Sequence, residues 1–261
     1  MCLIAVAWVC HPRYQLALIA NRDELHARPA AAAGPDPAAP HLYGGRDLQQ
    51  GGSWLMVSRR RRLAAVTNVR VGLAGDPMPR SRGALVRGFA DSTTPANDWL
   101  DALQPDAADY GPFNLLAWDG DELAFAGNHP GYARHPVEPG LHAMSNGAFD
   151  APWPKSAHAT RALLGWLDST PSDDAATSDV APLLAALADD SLAPDAALPD
   201  TGVGLELERM LSPPFVRNTR YGTRCSSVVL VDDAGIRFVE RRFGPDGRAT
   251  GESDALLAFM P

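Results

Sequence analysis

The stretch Leu16-Ala17-Leu18-Ile19-Ala20-Asn21-Arg22-Asp23-Glu24 joins five apolar residues directly to four polar or charged ones. A second apolar run, residues 3–9, precedes it across a short connection, so the pattern predicts an antiparallel hairpin buried over residues 3–20. A turn centred between positions 11 and 12.5 places Cys2 opposite one of residues 21–23, with Cβ atoms about 5 Å apart. A shift of one residue in the pairing reverses which side chain faces the sulfur, so the partner of Cys2 stays open.

Other segments repeat the alternation of hairpins and helices. Hairpins are predicted from strands at 54–58 and 63–68, 113–118 and 122–126, and 227–232 and 236–243, and helices at 82–90, 95–103, 155–167 and 182–188. Residues 28–40, rich in alanine and proline, are predicted to form a surface loop. Hairpins separated by helices favour an α+β fold of antiparallel sheets covered by helices, in a single domain over residues 1–261.

Composition excludes several classes of protein. The 261 residues carry a formal net charge of −8, which argues against general binding of nucleic acids. No apolar run approaches the length of a membrane span, and three cysteines are too few and too scattered for a disulfide framework or a zinc site. Phosphate-loop, dinucleotide and HExxH metalloprotease motifs are absent from the sequence, so no cofactor is expected.

Charge is distributed unevenly along the chain. Residues 59–87 contain eight arginines and one acid, whereas residues 168–209 contain ten acids and one arginine. One interpretation is a pair of solvated surface segments. The other is a basic mouth that attracts an anionic ligand, such as a carboxylate or a phosphorylated carrier. The sequence leaves both open.

The cysteine that follows Met1 is the first candidate for chemistry. Cells usually remove a methionine that precedes a small residue, which would leave a thiol and a free α-amine on Cys2. The amine titrates at about 7.7–8.0 and a free thiol at about 8.5, so the pair forms a self-contained nucleophile and base. The alternative is a small apolar residue at the start of a buried strand.

Motifs along most of the chain resemble one family. The segments that carry the resemblance are Met1-Cys2-Leu3-Ile4, Ala20-Asn21-Arg22-Asp23-Glu24, Arg28-Pro29, Gly44-Gly45-Arg46-Asp47, Gly51-Gly52-Ser53-Trp54, Ala65-Val66-Thr67-Asn68-Val69-Arg70, Ser81-Arg82-Gly83, Phe113-Asn114-Leu115-Leu116, Ser145-Asn146-Gly147, Pro152-Trp153-Pro154-Lys155 and Tyr221-Gly222-Thr223-Arg224. In this order they resemble the NRDE family, which is the family of the transport and Golgi organisation protein 2. Residues 168–210 match weakly.

The resemblance implies a fold similar to the N-terminal nucleophile hydrolases, a four-layer αββα sandwich of two antiparallel sheets between helices. It also implies a site with Cys2 as the nucleophile, its α-amine as the base, and an arginine and an aspartate at Arg22 and Asp23, although their spacing differs from the hydrolase pattern. Two asparagines and an arginine complete the implied site: Asn68 in the oxyanion hole, Asn146 as the second asparagine and Arg224 as a distal arginine.

The residues alone leave alternatives for the last three positions. Asn68 and Asn146 are equally compatible with turns in which asparagine bonds its own backbone. Arg224 is equally compatible with an ion pair to the acidic segment 232–233. Cys10 and Cys225 are interpreted as core or strand thiols.

Two functions follow from the resemblance. The first is a cysteine amidohydrolase or acyltransferase that acts on a small linear amide or thioester. The second is a non-catalytic binding or trafficking protein for heme or for acyl-CoA and lipid, with Cys2 as a thiolate ligand to heme iron. Either would take a small-molecule ligand, and the basic-mouth interpretation, left open above, would make that ligand anionic. The scarcity of lysine suggests a bacterial source, and the absence of a signal-peptide pattern suggests the cytoplasm; oligomeric state is not predicted.

Overall fold

The computed structural model describes residues 2–73, 78–171 and 178–260. In chain order the strands are β1 (Cys2–Trp8), β2 (Leu16–Leu25), β3 (Ala30–Asp36), β4 (Ala39–Asp47), β5 (Leu55–Ser58), β6 (Arg62–Asn68), β7 (Phe113–Trp118), β8 (Leu123–Gly127), β9 (Ala133–Pro136), β10 (Gly140–Met144), β11 (Tyr221–Asp232), β12 (Gly235–Phe243) and β13 (Ala249–Ala258). The helices are α1 (Arg82–Asp91), α2 (Ala96–Leu103), α3 (Pro154–Ser169), α4 (Ala181–Leu187) and α5 (Leu205–Met210).

The strands form two antiparallel sheets. One has six strands in the order β10-β1-β2-β11-β12-β13, and the other has seven in the order β3-β4-β5-β6-β7-β8-β9. The N-terminal hairpin therefore lies in the middle of the six-stranded sheet, where β1 and β2 are paired on both sides. The seven-stranded sheet is built from neighbours in sequence, as expected of strands joined by short hairpin connections.

Alternation along β1 and β2 divides their side chains between two cores. Even-numbered residues such as Ile4 and Leu18 pack between the sheets, against residues of the seven-stranded sheet such as Leu63. Odd-numbered residues such as Leu3 and Ile19 pack outward against α3 and α4. Because both faces are covered, the strands are apolar throughout instead of alternating between apolar and polar.

The outer face of the seven-stranded sheet is covered by the first two helices. Leu85 and Phe89 of α1 and Leu100 of α2 pack against Met56 and Leu115 of this sheet. Ser81 caps α1, its side-chain oxygen accepting from the Gly83 amide. The layers are thus helix, sheet, sheet and helix, which confirms the predicted αββα sandwich.

Several elements differ from the sequence-based expectation. The predicted loop at 28–40 is wrong, because residues 30–36 form β3, which pairs with β4 from Ala39 onward. β3 is an edge strand, and an edge tolerates Pro35, which cannot donate to a ladder. The short edge strand β9 and the long edge strand β13 were not predicted, because main-chain pairing to a preformed neighbour fixes them. Within the described residues, none of the helices combines the length and hydropathy needed to cross a membrane.

Candidate functional site

The register of the six-stranded sheet settles which residue faces Cys2. Cys2 is paired with Arg22 of β2, Arg22 with Cys225 of β11, and Cys225 with Arg242 of β12. Directly opposed residues project to the same side of a sheet. Since Ile4 and Ala20 point between the sheets, this row also faces the inter-sheet layer.

Cys2 itself is half-buried at the start of β1. Burial raises the pKa of its thiol, the nearby carboxylates of Asp23 and Glu24 raise it further, and Arg22 partly offsets them. Met1, whose removal the sequence predicts, lies outside the described residues. Burial also lowers the pKa of Arg82 at the start of α1, and Cys2 is among the groups that oppose this shift, so Arg82 belongs to the surroundings of the thiol.

Asn21 lies on the opposite face of β2 and is saturated with hydrogen bonds. Its Nδ2 donates to the main-chain oxygens of Leu187, at 2.7 Å, and Pro214, at 2.8 Å. Its Oδ1 accepts from Ser226 Oγ at 2.6 Å. The first residue of the Asn-Arg-Asp-Glu segment therefore ties β2 to the helical layer and to β11.

Asp23 shares that outward face and is 1% exposed. Thr223 Oγ1 donates to its Oδ1 at 2.7 Å, and Tyr221 Oη donates to its main-chain oxygen at 3.2 Å. Burial raises the pKa of this carboxyl group, and its charged and hydrogen-bonding neighbours act in the opposite direction. Asp23 is thus adjacent to Arg22 in the sequence but lies on the other side of the sheet from Arg22 and Cys2.

Arg22 is 6% exposed, and its guanidinium lies over the Trp54 ring at 4.2 Å from the centroid. Gly45 permits this position of the ring, because a Cβ there would collide with the Trp54 side chain. Glu24 Oε2 approaches Arg22 Nη2 at 4.0 Å. Within the described part of the chain, Arg22 Nη1 is buried and has no hydrogen-bond partner.

The two predicted asparagines meet at the end of β6. Asn146 Nδ2 donates to the main-chain oxygen of Asn68 at 2.9 Å and to its Oδ1 at 3.0 Å. Ser145 Oγ donates to the main-chain oxygen of Cys2 at 3.0 Å and lies 3.4 Å from Asn146 Oδ1. Cys2, Asn146 and Asn68 are therefore linked, and the interpretation of either asparagine as an isolated turn residue is wrong. Because both oxygens of Asn68 accept from Asn146, its side-chain NH₂ is left to donate elsewhere.

Arg224 lies at a β-bulge, where the pairing of β2 with β11 shifts between Thr223 and Cys225. Its Nη1 donates to the main-chain oxygens of Leu25, at 2.8 Å, and Arg28, at 3.0 Å. The predicted alternative, an ion pair with the acidic segment 232–233, is wrong for Asp232, which pairs with Arg13. A bulge turns a side chain out of the regular alternation of the strand.

Lys155, the only lysine of the chain, is a site residue that sequence reasoning did not single out. It lies in the first turn of α3, is 3% exposed, and donates to the main-chain oxygen of Leu211 at 3.1 Å. Burial lowers the pKa of Lys155 to about 8, while the nearby Asp23 opposes the shift. The signal in the sequence was the solitary lysine within Pro152-Trp153-Pro154-Lys155.

The two oppositely charged segments meet instead of remaining apart in solvent. Arg70 Nη2 of the basic segment pairs with Glu208 Oε2 of the acidic one at 2.5 Å, and both side chains are buried. Arg62 is also buried, bonded to the Thr94 oxygen. The interpretation of both segments as solvated surface is therefore wrong for these residues. Asp76 and the acids between 172 and 177 lie outside the described residues.

The other two cysteines differ from each other. Cys225 is buried in β11 as predicted, and burial raises the pKa of its thiol well above the usual value. Cys10 is exposed, so its interpretation as a core thiol is wrong. It follows β1 in the hairpin connection, where its thiol donates to the Trp8 oxygen at 3.3 Å.

Two antiparallel sheets between layers of helices, with a cysteine at the start of a central strand, form the arrangement of the N-terminal nucleophile hydrolase fold. A solved structure of this class, the Caenorhabditis elegans N-acylethanolamine-hydrolyzing acid amidase ortholog, superposes with a TM-score of 0.50 over 87% of this chain and 92% of that chain, at 9% sequence identity. At so low an identity the similarity establishes the fold alone.

Sequence comparison identifies the family. The family model described as "Transport and Golgi organisation 2" matches residues 1–245, and the chain belongs to this family. The Bos taurus Transport and Golgi organization protein 2 homolog is 34% identical over 266 residues, and the Homo sapiens homolog is 32% identical over 262 residues. Each comparison covers 92% of this chain and 92% of the relative.

Proposed function

We propose that this chain is an N-terminal cysteine hydrolase or acyltransferase for a small linear amide or thioester, with Cys2 as the nucleophile. The observation that carries the proposal is the link from the Cys2 carbonyl to Asn68: Ser145 Oγ donates to the Cys2 oxygen, and the adjacent Asn146 donates to Asn68. This link fixes the Asn68 side chain with its NH₂ group free to donate. A side-chain amide is one of the groups that donate to a developing oxyanion.

The chemistry requires that Met1 has been removed, because the free α-amine of Cys2 then serves as the base. The amine takes the thiol proton, and the sulfur attacks the substrate carbonyl to form a C–S bond. Negative charge on the carbonyl oxygen is stabilised by the Asn68 NH₂ group. The ammonium returns the proton to the leaving nitrogen as the C–N bond breaks. Water, or an acceptor amine in a transferase, then releases the acyl group from the sulfur.

Burial works against this reaction unless positive charge compensates for it. It raises the pKa of the Cys2 thiol, which lowers the thiolate population at neutral pH. Arg22 opposes that shift from the facing position on β2. We assign Arg22 the task of stabilising the thiolate and Asp23 that of neutralising the buried cation of Lys155, whose pKa it raises against the effect of burial.

The proposal is tested by intact mass followed by turnover of a panel of N-acyl amides and thioesters. The mature protein is expected to lack Met1 and to acquire the mass of the acyl group at Cys2 when a slow substrate is added. Cys2→Ala should abolish turnover, whereas Cys10→Ala, at an exposed cysteine, should leave it unchanged. Retention of Met1, or equal turnover by Cys2→Ala, would contradict the proposal.

Asn68 supplies a second test within the same panel. Asn68→Ala should lower kcat by about 10²–10³-fold, because one oxyanion donor is lost. The matched control is Asn97→Ala on the surface helix α2, which should keep full activity. Mixing with heme tests the trafficking alternative. A Soret shift that occurs with the parent protein and not with Cys2→Ala would support thiolate ligation by Cys2. A shift of equal size in Cys2→Ala would argue against it.

A further inference from the structure

An open pocket of about 160 Å³ lies beside the row of residues that starts at Cys2. It is bounded by β2, β11 and β12 of the six-stranded sheet and by the edge strand β3 of the other. Its lining residues are Arg22, Ala30, Ala31, Ala32, Trp54, Arg224, Cys225, Glu240, Arg242, Phe243 and Thr250. The candidate nucleophile is not among them, so the pocket is a neighbouring site separated from the thiol by Arg22.

Two buried guanidinium donors of this lining are left without a partner. Arg22 Nη1 and Arg224 Nε make no hydrogen bond to any residue the structure describes. The rest of each side chain is firmly engaged, Arg22 over Trp54 and Arg224 on two main-chain oxygens. A buried donor without an acceptor costs about 1–3 kcal/mol, and more when it is charged. An acceptor supplied by a ligand would remove this cost.

The same lining contains one buried acceptor that is also unsatisfied. Glu240 Oε1 accepts from the Ala33 amide at 2.8 Å and from Arg242 Nη1 at 3.4 Å. Glu240 Oε2 is buried without a partner among the residues described, and the Cys225 thiol beside the carboxylate is only a weak donor. With three arginines against one glutamate, the pocket is cationic overall and yet offers one acceptor.

Size and walls restrict the ligand further. An engineered protein cavity of about 150 Å³ holds one benzene molecule, so this pocket holds a ring of that size, and its open mouth leaves room for polar substituents on the ring. Its apolar walls are the Trp54 and Phe243 rings and the alanines of β3. A fitting ligand combines a carboxylate for the arginines, a hydroxyl or amine donor for Glu240, and a compact apolar part.

We propose that this pocket binds a small organic acid that carries a hydroxyl or amino group beside its carboxylate. The inference goes beyond the proposed hydrolase activity, because binding here requires neither the thiol nor the α-amine of Cys2. Cys225 lies two strands from Cys2, about 10 Å at ordinary strand spacing, so an acid bound here sits close enough to Arg22 to alter its interaction with the thiol.

The proposal is tested by calorimetric titration of the full-length Cys2→Ala protein, which separates binding from turnover. Mandelate is the probe, phenylacetate lacks its hydroxyl group, and mandelamide lacks its charge. Mandelate should bind roughly tenfold more tightly than phenylacetate, as one hydrogen bond predicts, and mandelamide should give no measurable heat.

Variants locate the binding site. Arg22→Met should weaken mandelate binding at least tenfold, whereas Arg209→Met, at an exposed ion pair, should not. Ala31→Leu fills the pocket without removing any charge and should also abolish binding, and its control is Ala38→Leu at an exposed position outside the lining. Glu240→Gln should reduce the preference for mandelate over phenylacetate.

Three results would overturn the proposal. They are equal binding of mandelamide and mandelate, undiminished binding by a folded Ala31→Leu protein, and no heat with any of the three compounds. If Arg22→Met fails to fold, Ala31→Leu still decides. The two proposals can fail separately. Amide turnover without mandelate binding would overturn only the proposal for this pocket. Mandelate binding without amide turnover would overturn only the hydrolase proposal.

Discussion

The two faces of β2 treat neighbouring residues of one polar segment in opposite ways. Asn21 and Asp23 point toward the helical layer, where Asn21 makes three side-chain hydrogen bonds within 2.8 Å and Asp23 accepts from Thr223. Arg22 points between the sheets, lies over Trp54, and retains a buried N–H without a partner among the residues described. The side chains of Asn21 and Asp23 therefore stabilise the fold, whereas Arg22 keeps an N–H group to which a ligand could bind.

Buried polar residues can thus contribute in two ways, to the stability of the fold or to the binding of a ligand. A side chain whose hydrogen bonds are all made within the protein stabilises the fold, and its loss leaves its partners unsatisfied. A side chain with an unmade hydrogen bond costs stability, and a ligand that supplies the missing partner recovers that cost. Stability and ligand binding should therefore respond to different substitutions along the same strand.

Asn21 is expected to show the largest effect on stability. Asn21→Leu removes three hydrogen bonds and leaves buried groups of Leu187, Pro214 and Ser226 unpaired, which should lower the free energy of unfolding by about 4 kcal/mol. Urea unfolding measures the change, with Asn97→Leu on α2 as the control. A loss below 1 kcal/mol would show that the outward face is not what ties β2 to the helices.

Lys155 should make stability depend on alkaline pH. Its folded pKa of about 8 lies below the ordinary lysine value of 10.5, so the unfolded chain binds more protons between these values and stability rises with pH across that window. The difference corresponds to about 3 kcal/mol. Relative to Lys155→Met, the wild-type protein should gain stability from pH 8 to 10.5 in urea titrations. A flat difference between the two proteins would contradict the depressed pKa.

Thr223 should give an intermediate effect. Its hydroxyl donates to Asp23 Oδ1 at 2.7 Å and accepts from the Val216 amide at 2.9 Å. Thr223→Val keeps the shape and loses both bonds, which should cost about 2 kcal/mol in chemical unfolding. Thr93→Val, at an exposed position, serves as the control and should be nearly neutral. Equal stabilities of the two variants would mean that Asp23 is held by other contacts.

Arg22 should show the smallest effect on stability. Arg22→Met retains the packing of the side-chain stem while removing a buried charge with an unsatisfied donor, so the free energy of unfolding should change by less than about 1 kcal/mol. The same measurement made with saturating mandelate should stabilise the parent protein and not the variant. A large loss of stability without ligand would place Arg22 with Asn21 as a residue of the fold.

The sequence predicted the central features of the fold from local patterns. Two apolar runs with a short connection gave the β1–β2 hairpin, and their register placed Cys2 against the segment 21–23. Motifs of the family implied the four layers and the set Cys2, Arg22, Asp23, Asn68, Asn146 and Arg224. The hairpin and the layers are confirmed, and the hairpin follows from strand alternation and turn residues, which are local properties of the chain. The site set stays a prediction.

Long-range contacts account for what the sequence missed. The edge strands β3, β9 and β13 depend on a neighbour for their hydrogen bonds, and their own residues lack a strand-like pattern. Lys155 enters the site because α3 packs on the outer face of β1 and β2, although the sequence marks it only as a solitary lysine. The pairing of Arg70 with Glu208 joins residues 138 positions apart.

The sequence by itself determined that Asn21 and Asp23 lie on one face of β2 and Arg22 on the other, because side chains of a strand alternate with a period of two. Only the tertiary structure decided which face meets the helices and which meets the second sheet. That choice depends on the pairing register with β1 and on the packing of two sheets, and both are fixed by contacts between distant segments. The physical reason is that a strand specifies its alternation by itself, but its partners supply the hydrogen bonds that satisfy Asn21 and leave Arg22 open.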